Sequence, residues 1–186
     1  MKKKLLMIFL SCIISSSAFC AKTIEGSESA GFYMSLGSNP SFIGFSITVE
    51  VPFLKDKIKG FSSESYLNGG SCSYDHYVIE NDQTVLDSTI SGVFLMFGEN
   101  FIYNFLNFSF VSLRTGVGVD VGIYKGAGGE MDFGAMTGIV LGAEFLPNKL
   151  ISIVCDIRPS LNLYTGIGFA APFTISVRLN NDKIKI

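Results

Sequence analysis

The chain has 186 residues, of which 48% are hydrophobic and 16% charged, with a formal charge of −2 and a mean hydropathy of +0.42. The scarcity of charged residues excludes a disordered chain, and the near-neutral charge excludes a strongly basic nucleic-acid-binding protein. The length suits a single domain, and the positive hydropathy points to a lipid environment.

The N-terminus has the pattern of a secretory signal peptide over residues 1–21. Three lysines at positions 2 to 4 precede an apolar run from Leu5 to Ile14, and small residues follow. A run of this length is too short to span a bilayer. We therefore expect residues 1–21 to be removed on export and residues 22–186 to form one domain. That domain has 11 basic residues against 16 acidic ones, a formal charge of −5.

Two of the four cysteines fall in or beside the signal peptide, and Cys72 and Cys155 fall in the mature chain. Lipidation of Cys20 is an alternative to plain cleavage, although Phe19 is bulky where a small residue is usual. In an oxidising compartment Cys72 and Cys155 could form a disulfide, or both could stay free, and the sequence leaves this open. No Cys or His spacing indicates a metal site.

About eight segments of the mature chain alternate apolar residues with small or polar ones, which is the period of a β-strand with one apolar face. In one of them Phe45, Ile47 and Val49 alternate with Ser46 and Thr48. In chain order the predicted strands are 31–38, 42–52, 59–67, 89–98, 106–124, 133–146, 150–158 and 170–180.

A transmembrane helix is the alternative for one of these segments, because Gly134, Gly138 and Gly142 have the GxxxG spacing of helix dimers. The apolar stretch around them is only about a dozen residues long, which is too short for a span, and Glu144 ends it.

The connections between the predicted strands alternate in length. Tight turns are expected at 37–40 and 147–149, a long polar loop at 68–88 and a glycine-rich loop at 125–132. Apolar strand faces, with charges gathered in the loops, favour an all-β fold. The prediction is an antiparallel up-and-down β-barrel of about eight strands in an outer membrane.

The competing soluble fold is a β-sandwich or lipocalin-like barrel, which would have more Lys and Glu on its polar strand faces than this chain has. In the membrane barrel, aromatic side chains should form girdles at the two interfaces. The candidates are Phe101, Tyr103, Phe105, Phe108 and Phe110.

A barrel of this size is too narrow for an aqueous pore, so an enzyme, a binding protein or a structural barrel remains. His76, the one histidine, lies in the predicted 68–88 loop beside Asp75. A histidine oriented by a carboxylate can act as general base for a serine nucleophile. The alternative is a solvated loop residue.

A serine pattern suggests where that nucleophile could be. Ser27-Glu28-Ser29-Ala30-Gly31 reads S-x-S-x-G, one substitution from the G-x-S-x-G nucleophile elbow. An elbow normally joins a strand to a helix, whereas this copy precedes a predicted strand.

With this pentapeptide, a Lys-rich signal and glycine-rich strands, the chain resembles a spirochaetal family of small β-barrels, the Borrelia outer-surface proteins that include a proposed lipase. The resemblance implies a serine-dependent lipase or esterase that hydrolyses acylglycerols or phospholipids and needs no cofactor or metal. It implies Ser29 as nucleophile, His76 as base and Asp75 or Asp82 as orienting acid, with Ser27 and Gly31 completing the motif.

The barrel topology argues against pairing Ser29 with His76. If β-strand 1 starts in the periplasm, Ser29 lies at that end and His76 lies outside, about 25 Å away, the height of the apolar band. Ser71 and Ser73 are then the nearer serines. The alternative function is a non-catalytic surface barrel, an adhesin or envelope-structural protein, with a host surface partner at residues 68–88.

Overall fold

The structure is a computed structural model that describes residues 26–37, 40–52, 60–80, 83–126, 131–164 and 168–180. The predicted signal peptide, 1–21, lies outside these ranges, so its cleavage stays a prediction. The strands are β1 (Ser27–Leu36), β2 (Ser41–Pro52), β3 (Phe61–Glu80), β4 (Gln83–Asn107), β5 (Val111–Gly126), β6 (Met131–Phe145), β7 (Ile151–Ile157), β8 (Ser160–Asn162) and β9 (Gly168–Asn180).

The strands close into an antiparallel ring. Each of β1 to β6 pairs with the next strand, β7 pairs on its other side with β9, and β9 pairs back onto β1 from Ser27 to Leu36. Strands β7 and β8 both lie between β6 and β9, where they take the place of one interrupted strand of the barrel. The interruption contains Pro159, which has no amide hydrogen to donate to a ladder. The predicted up-and-down barrel of about eight strands is therefore confirmed.

The two faces of the ring differ in the sense expected for a membrane barrel. On β2 the outward Phe45, Ile47 and Val49 are 49%, 51% and 45% exposed, while the inward Ser46 is 3% exposed. The same alternation recurs on β6, β7 and β9. A soluble barrel would bury the apolar face instead, so this alternative does not fit the structure.

The glycines with GxxxG spacing lie in β6 and not in a helix. Their side of the strand faces the barrel interior, where a Cβ on Gly134 would overlap the Tyr164 ring and one on Gly142 would overlap Asp156. Within the described ranges no helix has the length and apolar character needed to cross a membrane.

Two predicted segments differ from the structure. The polar loop predicted at 68–88 is wrong, because β3 and β4 continue through it as a paired hairpin. The segment predicted at 106–124 is divided by a turn between Asn107 and Val111, where the amide of Phe108 donates to the carbonyl of Val111 at 2.8 Å. The turn, Phe108-Ser109-Phe110, has no Gly or Pro to signal it.

The predicted girdle residues are all exposed on the outside of the barrel, around the β4–β5 turn. This end of the barrel, where β1 begins, is called the lower rim below, and the opposite end, with the β3–β4 hairpin, the upper rim. Cys72 and Cys155 are both free. Cys72 is buried on the inward face of β3, whereas Cys155 pairs with Ala143 and Ile175 on the outward face.

Candidate functional site

The lower half of the barrel interior holds a buried ion-pair network centred on Glu64. One carboxylate oxygen of Glu64 lies 2.6 Å from Arg114 and 2.6 Å from Arg178. Arg114 also lies 3.0 Å from Asp156, and Arg178 pairs with Glu50 and Glu144. The network crosses the interior and joins strands that are not neighbours in the ring, because β3, β5 and β9 each contribute a residue.

A second polar cluster lies nearer the middle of the interior. Arg158 pairs with Asp120 and donates a hydrogen bond to the Tyr66 hydroxyl, and its guanidinium also lies over the Tyr66 ring. The Tyr66 hydroxyl in turn donates to Asp120 at 3.0 Å. A buried charge is tolerated best beside an opposite charge, and every arginine of the two clusters has a carboxylate partner, although some buried atoms, such as Nε of Arg158 and Oδ1 of Asp120, have no hydrogen-bond partner.

Above these clusters the interior is filled by aromatic and apolar side chains. Phe42 packs edge-on against Phe94, with ring centroids 4.9 Å apart, and Tyr164 packs against Phe42 at 5.3 Å. Further buried residues are Tyr33, Cys72, Met96, Tyr124, Met136 and Ala170. These side chains fill the upper half of the interior among the described residues, as is usual for an eight-stranded barrel.

Ser29 faces this interior. It lies on β1 between Thr48 and Arg178, is 6% exposed, and lines a cavity of about 40 Å³. The walls of the cavity include Glu64 and Arg158. That volume corresponds to a few water molecules.

The S-x-S-x-G pentapeptide forms the first half of β1 and pairs with β2 on one side and β9 on the other. No residue of the pentapeptide has a positive φ, and the sharp turn of a nucleophile elbow is therefore absent from this segment. The Ser27 hydroxyl donates to Glu50 at 3.1 Å, and a Cβ on Gly31 would overlap the backbone of β9.

Asp75 and His76 lie on the β3–β4 hairpin, beyond the ring. Asp75 pairs in register with Thr89, whose hydroxyl donates to its carboxylate at 2.8 Å, and His76 pairs with Ser88. The second candidate acid, Asp82, lies outside the described residues. Ser71 and Ser73 lie lower on the same strand.

The structure does not bring Ser29 together with the hairpin residues. Across the sheet Ser29 is level with Thr48 and then with Tyr66. Asp75 follows nine residues later on β3, and at about 3.3 Å per residue the backbones are about 30 Å apart. A nucleophile and its base must lie within hydrogen-bonding distance.

The buried ion pairs were not predicted from the sequence, because the charged residues were assigned to loops. The signal is nevertheless present, because single charges occupy the polar phase of alternating strands. The residues are Glu64, Arg114, Asp120, Glu144 and Arg178.

Comparison with known proteins supports the fold and nothing finer. No family profile matches the chain, and no curated protein sequence does. Among solved structures it is similar to Neisserial surface protein A (NspA), with a TM-score of 0.52 and 15% identity over 83% of this chain and 95% of that one.

Two crystal structures of Ail, the attachment invasion locus protein of Yersinia pestis, also match. Their TM-scores are 0.42 and 0.43 at 15% and 12% identity, and each match covers 83% of this chain and 97% of that one. The second of these structures is a complex with the heparin analogue sucrose octasulfate.

The chain therefore has the fold of a small outer-membrane β-barrel, and its apolar outer face matches the outer-membrane location that the sequence predicts. Neither the spirochaetal resemblance nor the lipase activity that it implies finds support in these comparisons.

Proposed function

We propose that this protein is a non-catalytic outer-membrane surface barrel that binds a partner through its projecting β3–β4 hairpin. The observation that carries the proposal is the reach of this hairpin beyond the ring. Strand β3 pairs with β2 only as far as Ser73, and strand β4 pairs with β5 only from Gly92 onward. Beyond them, residues 74–80 and 83–91 pair only with each other within the described ranges.

The hairpin is therefore a two-stranded ribbon about 23 Å long, at about 3.3 Å per residue. An isolated two-stranded ribbon is marginally stable in water, and strand edges without a neighbour are templates for pairing with another chain. Its outer edges offer the backbone groups used in β-augmentation, a common mode of peptide recognition.

The side chains of the ribbon are suited to a contact surface. Ile79, Val85 and Leu86 are 79%, 40% and 50% exposed. Residues 74–91 also contain four acidic residues and no Lys or Arg, so the ribbon favours a basic partner.

A tag experiment tests the orientation on which this function depends. A short epitope inserted at 81–82 should bind antibody on intact cells, whereas the same epitope inserted at 147–149 in the lower-rim turn should bind only after the outer membrane is opened. The reverse pattern would contradict the proposal.

A trimmed variant then tests the binding. Replacing residues 76–88 by Asn-Gly should abolish the adhesion of expressing cells to a host-cell layer without changing the amount of barrel in the membrane. A matched variant that keeps the hairpin but carries Ser112→Ala in the interior should adhere normally. Full adhesion by the trimmed variant would overturn the binding role.

The lipase hypothesis has its own test. Because Ser29 is enclosed and far from Asp75, purified barrel should release no more fatty acid from a long-chain ester than the Ser29→Ala variant does. Release that Ser29→Ala and His76→Ala both abolish would restore the enzyme and overturn our proposal.

A further inference from the structure

We infer that the outward face of β3 and β4 near the lower rim binds the ammonium headgroup of a phospholipid through Glu99. Residue Glu99 is on the outward phase of β4, where the flanking outward residues are Phe97 and Phe101. An ionisable side chain on a lipid-facing surface is costly, and such residues usually mark functional sites. The inference rests on the barrel's lying in a membrane and is independent of the hairpin's partner.

Two serines of β3 hold the carboxylate. Ser65 lies directly across from Glu99 and donates to its Oε2 at 2.7 Å, and Ser63, one outward position lower, donates to Oε1. The β2 neighbours of these serines on the same face are Val49 and Val51. The polar group is therefore enclosed by apolar side chains along and across the strands.

The unfilled capacity of the carboxylate defines the ligand. An ionised carboxylate has about four acceptor positions, and the two hydroxyls fill two of them. The remaining positions face lipid, so the complementary ligand is a cationic donor. A primary ammonium supplies both the charge and up to three N–H donors.

The location suits a headgroup. The predicted girdle residue Tyr103 follows on the same outward face toward the lower rim, and the exposed Phe105 lies at the β-bulge just beyond it. Aromatic girdles mark the membrane–water interface, and Glu99 is about 13 Å along the strand from Tyr103. Glu99 lies on the membrane side of the girdle, where it can meet an ammonium that folds inward past the aromatic rings.

The charge of Glu99 favours a cationic headgroup over a second copy of the chain as the ligand of this face. A two-fold dimer through this face would place Glu99 near its own counterpart, and two carboxylates repel each other. A cationic lipid headgroup removes that conflict.

Lipid retention in native mass spectrometry tests the inference. The full mature chain is placed in bilayer discs of phosphatidylethanolamine, phosphatidylcholine or phosphatidylglycerol with the same acyl chains. We expect the barrel to retain an ethanolamine lipid preferentially, and Glu99→Gln to lower its retention about tenfold, the loss of one charge-assisted hydrogen bond.

Three further variants make the result decisive. Ser63→Ala with Ser65→Ala should reduce retention partially, and Glu28→Gln, an outward acid at the lower rim, should leave it unchanged. Equal retention of the three lipids, or unchanged retention by Glu99→Gln, would overturn the inference. Equal retention of ethanolamine and choline lipids would overturn the assignment of a primary ammonium as the ligand. Efficient formation of disulfide dimers by Glu99→Cys in membranes would overturn the inference and assign the face to a second copy of the chain.

Discussion

Single buried residues determine whether this barrel can close around its charged interior. Glu64 is 2% exposed, and it bridges Arg114 and Arg178 from strands on either side of it. Without Glu64, Arg114 would keep only Asp156, and Arg178 only Glu50 and Glu144, so the desolvation cost of both buried guanidinium groups would be compensated less completely.

Substituting Glu64→Ala should therefore destabilise the barrel by about 3–5 kcal/mol, the usual cost of removing one partner of a buried pair. Urea unfolding in detergent, followed by heat-modifiable gel mobility, measures the loss. Glu28→Gln on the exposed outward face should change stability by less than about 0.5 kcal/mol. Equal effects of the two variants would show that the network does not support the fold.

Gly134 stabilises the barrel by leaving space for a neighbouring side chain. A Cβ on Gly134 would overlap the Tyr164 ring, whereas Gly168 has open space around its Cβ position. Gly134→Ala should destabilise by about 1–3 kcal/mol, the usual cost of overpacking, and Gly168→Ala by much less. Comparable unfolding midpoints for the two alanine variants would contradict the proposed packing of Tyr164 inside the ring.

At the scale of elements, the sequence predicts a strand well where one of its faces is apolar. β2 and β6 alternate regularly, because one face meets lipid and the other meets the interior, and their predicted bounds are close to the observed ones. The β3–β4 hairpin has no lipid-facing side beyond the ring, so its residues carry no such alternation. For the same reason the hairpin strands are not recognisable in the sequence, and in our proposal their free edges can pair with a partner.

The ion pairs could not be predicted from the sequence for a different reason. The polar phase of a strand indicates that Arg178 faces inward, but its partners Glu50, Glu64 and Glu144 come from three other strands. Which of them meet depends on the stagger of the closed ring, a property that no local pattern encodes.

Because the hairpin makes its pairs beyond the ring, its removal should leave the barrel stable. Replacing residues 76–88 by Asn-Gly should shift the thermal unfolding midpoint by no more than a few degrees, since a lone ribbon contributes little. Circular dichroism in detergent measures the shift. Failure of this variant to fold would mean that the hairpin is needed for the ring to close.

At the scale of the whole molecule, apolar side chains face outward to lipid around an interior that is charged in its lower half and aromatic in its upper half. The mean hydropathy of +0.42 covers the whole sequence, including the apolar N-terminal segment, and in the barrel the positive hydropathy reflects apolar strand faces that are exposed on the outside. The cost is that the fold depends on the bilayer as its solvent.

A nitroxide scan along β2 in lipid bilayers tests this claim most directly. Single cysteines from 42 to 50, in a background without the native cysteines, carry the label, and oxygen and a polar nickel complex serve as relaxation agents. The structure predicts that oxygen accessibility alternates with a period of two and is maximal at Ile43, Phe45, Ile47 and Val49. Maxima at Phe42, Gly44, Ser46 and Thr48, or no alternation, would contradict it.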